Sequence, residues 1–118
     1  MVSNLSIRVG VILLVVGMWG MLTGGYAHDV LGFGVSPGLN VIHIVSGAFA
    51  IIAGLSGGRA ATICCLVLSA VYGLLTVQGV FHGEAVVRAL NLNTAGDLLH
   101  LVVAVACLWA GGTDPARS

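Results

Sequence analysis

The chain has 118 residues, of which 58% are hydrophobic and 7% charged, and its four basic and four acidic residues cancel to a formal net charge of zero. Soluble domains carry about a quarter charged residues, so there are too few charges here to cover a water-facing surface, and the balance removes the electrostatic case for a nucleic-acid partner. The length allows one domain, residues 1–118, whose class is set by apolar runs long enough to span a bilayer, which takes roughly 20 residues at about 1.5 Å each.

The first run is Ile7 to Gly25. Arg8 near its start and "GGYA" at its end give it the outline of a secretory signal, but it is longer than the apolar core of such a signal and reads as a span. Gly20 and Gly24 in "GMLTG" have the small-xxx-small spacing that lets membrane helices approach closely. The connection "YAHDVLGFGVSPG" carries His28 and Asp29 and reads as a loop.

The second run, Leu39 to Gly57, has a recognisable start, with Ser36 as N-cap and Pro37 at the first helical position. It places Asn40 and His43 inside the span. After the turn "SGGR" comes the third run, Ala60 to Val80, which holds Cys64, Cys65, Tyr72 and the spaced pair Ser69 and Gly73. The connection "FHGEAVVRALNLN" carries His82 and Glu84. The fourth run, Thr94 to Gly111, starts either with Asn93 as N-cap or with Thr94 and Asp97 as a capping box. It contains Asp97, His100 and Cys107, and a further small pair, Ala106 and Ala110.

These runs predict an all-α, multi-pass membrane protein, an up-down bundle of four transmembrane helices. Arg8, Arg59 and Arg117 fall on one side and Arg88 on the other, so the positive-inside rule puts both termini in the cytoplasm. All four histidines then lie toward the outer side. Tyr26, Phe33 and Phe81 near one boundary and Trp109 near the other fit interfacial aromatic belts.

Sliding the chain by 57 residues pairs "LNVIHIVSGAFAIIAG" with "GDLLHLVVAVACLWAG". Asn40 falls on Asp97, His43 on His100, Gly47 on Ala104 and Gly54 on Gly111. The first and third spans match less clearly. The pattern predicts two tandem helical hairpins of the same orientation, a parallel internal repeat.

Residues three apart share a helix face, so Asn40 lies on the stripe of His43 and Asp97 on that of His100. Polar groups at membrane depth seldom face lipid. Both stripes should point into the bundle and meet there, with Tyr72 as a further candidate member. Such a cluster serves either as interhelical glue, as a ligand site or as a path for protons or ions. Bis-His haem ligation and a His/carboxylate metal site are the ligand chemistries open to it. His28, Asp29, His82 and Glu84 are possible outer-loop contributors, without the close Cys/His spacing of a metal motif. The odd, unspaced cysteines Cys64, Cys65 and Cys107 read as small buried apolar residues. No nucleophile elbow, P-loop or zinc-protease motif is present, and the expected partners are the bilayer and other membrane helices, in a homo-oligomer or a larger complex.

At "LNVIHIVSG" and "NTAGDLLHLVVA" the chain resembles a family of small bacterial four-helix membrane proteins catalogued as domain of unknown function 4383. Asn40, His43 and Gly47 match the first copy of its motif, and Asn93 and His100 the second; Asp97 and Ala104 stand where that family more often has Asn and Gly. The resemblance covers roughly residues 38 to 112. It implies a four-helix protein of the bacterial inner membrane and supplies no activity.

Overall fold

A computed structural model describes residues 1–24, 28–30, 32–81, 87–88 and 90–113. Four long helices dominate it: α1, Val2–Leu22; α2, Pro37–Ser56; α3, Gly58–Phe81; and α4, Thr94–Thr113. Each is long and apolar enough to cross a membrane. The chain is a multi-pass membrane protein.

The helix starts follow local chemistry. Ser36 caps α2, its hydroxyl accepting from the Leu39 amide at 3.1 Å, with Pro37 at the first helical position. Asn93 caps α4 in the matching register, its Oδ1 accepting from the Gly96 amide at 2.8 Å, so the capping box of Thr94 and Asp97 is not the one used. Between α2 and α3 a single residue, Gly57, reverses the chain at φ +127°, a conformation that side-chain-bearing residues rarely adopt.

Three expectations need correction. The first span starts at Val2 rather than Ile7, because the polar side chains near the terminus have places in a helix: the Ser6 hydroxyl is fully buried and donates to the Ala50 carbonyl at 2.6 Å. Gly24 lies beyond α1 at φ +143°, so it forms no helical pair with Gly20. The connection after α1 is not simply a loop. It holds a two-stranded antiparallel hairpin, β1 (His28–Val30) and β2 (Phe33–Val35), with His28 opposite Val35.

That hairpin is tied to the start of α4. Asn91, at φ +55°, donates through Nδ2 to the carbonyls of His28 and Val35, both at 3.0 Å. Asn93 accepts from the Gly34 amide and donates to the Gly32 carbonyl, each at 3.0 Å.

The helices pair as two hairpins, α1 with α2 and α3 with α4. Glycine makes the first seam close: a Cβ on Gly47 would stand 2.7 Å from both the Gly10 carbonyl and the Leu14 amide. Gly54 meets Ser3 and Ile7 at the far end, and Gly111 meets Leu66 and Thr62 in the second hairpin. The core lies along the bundle axis, with Leu13, Leu39, Ala50, Cys65, Tyr72 and Cys107 fully buried.

The internal repeat extends to α1 and α3. Buried Val2, Ser6, Val9 and Leu13 of α1 have counterparts in buried Ala61, Cys65, Leu68 and Tyr72, 59 positions later (Val2 to Ala61). On α2 and α4 the shift is 57 (His43 to His100). The difference of two is the difference between the connections, which cover residues 23–36 and 82–93. A single fixed slide of the sequence therefore matches only one pair of helices at a time.

Candidate functional site

The seventh residue of α2 is His43 and the seventh of α4 is His100. Both are buried to within 1% of complete, and their Nε2 atoms stand 3.3 Å apart. A bond of that length between two neutral imidazoles needs one donor and one acceptor, so the rings hold opposite tautomers. Tyr72 packs against both, nearly parallel to His43 (7° between planes, centroids 6.2 Å apart) and tilted on His100 (45°, 5.5 Å).

One turn toward the helix starts lie Asn40 and Asp97. Asn40 is fully buried and packs on Gly20, where any side chain would run into its amide. Asp97 packs in the same way on Gly79 and is only partly buried. Gly20 and Gly79 are 59 positions apart, so each hairpin contributes an equivalent unit: a glycine on one helix, a polar residue and a histidine on the other. The two units meet at the His43–His100 contact.

The cluster is not self-sufficient. Among the described residues, Nδ1 of His43, Nδ1 of His100, both amide atoms of Asn40 and Oδ1 of Asp97 are buried without a hydrogen-bond partner. The Tyr72 hydroxyl, whose polar neighbour is Ser46, also lacks one in hydrogen-bonding geometry. Each such group costs about 1–3 kcal/mol if it stays unpaired. Asp97 also lines a cleft of about 340 Å³ between α3 and α4, together with Thr76, Gly79, Val80, Thr94, Leu98 and Leu101.

The structure thus brings Asn40, His43 and His100 to the interior and leaves Asp97 half-buried at the cleft, as two stripes that meet at the histidines. His28 and Asp29 sit on β1, where the His28 ring bonds to the Thr23 hydroxyl at 2.6 Å and Asp29 is exposed. His82 and Glu84 lie outside the described residues. No group of three or more His, Cys, Asp or Glu side chains is placed to hold a metal ion among the described residues. Two imidazoles on one tetrahedral metal at about 2.0–2.1 Å from each hold their nitrogens roughly 3.3–3.4 Å apart, so the 3.3 Å between the Nε2 atoms fits a shared proton and a tetrahedral ion alike, and the missing further ligands are what speak against a metal. Two ligands on opposite sides of a haem iron stand roughly 4 Å apart, so bis-His haem ligation would require the pair to open. Cys65 and Cys107 are buried core residues and all three cysteines are free.

Reasoning from sequence missed the seats at Gly20 and Gly79 and the ties that Asn91 and the capping Asn93 make to the β hairpin. The glycines carried a signal, since each is the small residue that faces a polar one across an antiparallel seam, but reading it needs the 59-residue shift. Nothing local distinguished Asn91.

The fold and this inner cluster give the comparison with known proteins its context. Residues 4–112 match the family described as "Domain of unknown function (DUF4383)". The chain belongs to that family. The match extends beyond the stretch carrying the two motif copies and takes in α1, whose buried stripe is repeated in α3. Compared with curated proteins and with solved structures, the chain has no match.

Proposed function

We propose that this DUF4383 protein is a non-enzymatic integral membrane protein that acts through its helix surfaces. It serves as an accessory subunit of a larger membrane complex or as a self-associating bundle, with the histidine pair as the internal fastener between its hairpins. The observation that carries this reading is the division of the spans. Asn40, His43 and His100 are turned inward, while Phe49, Leu55, Leu74, Val102 and Trp109 are among the large side chains facing outward. The arginine asymmetry supports an orientation with both termini in the cytoplasm of a bacterial inner membrane and the histidine pair in the outer half.

Purification in a mild detergent with native mass spectrometry tests the proposal. It expects a particle of several 11.9 kDa chains or a co-purifying membrane protein. A strictly monomeric particle with no companion counts against it. A second reading, a small-ligand or redox protein using the paired histidine stripes, draws on the unpartnered polar atoms of the cluster. A haem absorption band or stoichiometric metal in the same preparation would favour it.

A further inference from the structure

We propose that the polar interior around His43 and His100 is a hydrated proton-exchange site, filled by a few water molecules that reach it past Asp97 from the membrane face where α2 and α4 begin. The argument starts from the pair itself. A single proton lies between the two Nε2 atoms, 3.3 Å apart. The donor ring therefore has a bare Nδ1 that needs a donor, and the acceptor ring has an Nδ1–H that needs an acceptor. Among the described residues neither Nδ1 has a partner, although both rings are buried to within 1% of complete.

Water meets both demands with one chemistry, because it donates and accepts, and it is small enough for a site inside a packed bundle. The Asn40 amide, with both of its polar atoms buried and unpartnered, extends the same demand one turn outward. So does Asp97 on α4, whose Oδ1 is unpartnered and whose side chain lines the cleft between α3 and α4. The polar groups without partners therefore run from the cleft to the histidines.

The two hairpins bring equivalent histidines to the contact, and water, which both donates and accepts, does not lock either tautomeric arrangement of the pair. A proton delivered to the bare Nδ1 releases the Nε2 proton of that ring to the other Nε2, and the second ring sheds its Nδ1 proton to water. One proton enters, one leaves, no electron moves, and the rings exchange tautomers; the reverse passage restores them. The titratable groups around the pair are Tyr72 against both rings, Asp97 one turn outward, and the Cys65 and Cys107 thiols two turns inward. Among the described residues α1 brings glycines to its seam with α2 around Asn40 and Gly47, and α2 adds Asn40 itself and Ser46, the latter beside Tyr72.

Solid-state NMR of the full chain, labelled with ¹⁵N-histidine and embedded in phosphatidylcholine bilayers, tests this proposal independently of any oligomer or companion protein. The expected result is magnetisation transfer from water to the ring nitrogens of His43 and His100, with both tautomers present in exchange and their N–H protons replaced by deuterium within minutes. His43→Asn assigns the signals. Asp97→Leu, which replaces the carboxylate and fills the cleft, should slow that replacement by an order of magnitude; if it does not fold, Leu101→Trp closes the cleft from its outer wall. Ring protons that resist deuterium for days and receive nothing from water would show a dry pair and overturn the site. Exchange as fast as in the unaltered chain when the cleft is filled would overturn the route past Asp97.

Discussion

Replacing Gly47 by alanine and Gly73 by alanine adds the same methyl group to the same kind of helix, and the structure gives the two changes opposite signs. At Gly47 the new Cβ would stand 2.7 Å from the Gly10 carbonyl oxygen and the Leu14 amide nitrogen and 3.1 Å from the Leu14 Cα. All three are backbone atoms, which cannot turn aside as a side chain can. Ordinary contact needs about 3.5–4.0 Å, so α1 and α2 must separate by roughly 0.5–1 Å. That separation loosens the whole seam, including the 2.6 Å bond from Ser6 to Ala50. Lipid returns nothing, because helices in a bilayer associate through packing itself. The expected cost is about 1–3 kcal/mol, the range for overpacking. At Gly73 nothing lies within 4 Å of an added Cβ, so only the lower backbone freedom of alanine acts, a gain of about 0.5–1 kcal/mol. Reversible unfolding of both variants in mixed detergent–lipid micelles measures the difference. A Gly47→Ala protein as stable as the parent, or a Gly73→Ala protein that loses as much, would refute this account of the seam.

His43→Leu should cost about 1–3 kcal/mol by leaving His100 without its partner, whereas His43→Leu with His100→Leu should lie near the parent, and a double-mutant cycle on unfolding reads the coupling. Asn93→Ala should weaken the start of α4 and its tie to the β hairpin by about 1–2 kcal/mol, visible as faster amide exchange at Gly96 and Gly34, whose amides Asn93 accepts from. In a background free of Cys64, Cys65 and Cys107, single cysteines at positions 3, 57 and 118 should label from the cytoplasmic side and one at 83 from the opposite side. Labelling of any of the first three from outside would invert the proposed orientation.

Much of the fold and of the cluster was legible in the chain. Four apolar runs at spanning length forced four helices, because backbone polar groups in hydrocarbon must pair within their own segment. Ser36 with Pro37 and, in the equivalent register, Asn93 marked the starts of α2 and α4. The three-residue spacing of Asn40 with His43 and of Asp97 with His100 put each pair on one face, and the expense of polar groups in lipid turned those faces inward. These are local or one-dimensional signals, so the sequence alone sufficed for them. What distances could not be read from it came from the tertiary structure: the 3.3 Å contact of the two rings, Tyr72 laid against both, Gly20 and Gly79 as seats for Asn40 and Asp97, and the asparagines that tie the β hairpin to α4. Each joins residues from different helices or connections. Their meeting depends on how closely α1 approaches α2 and α3 approaches α4, and on how the two helical hairpins and the β hairpin dock against one another.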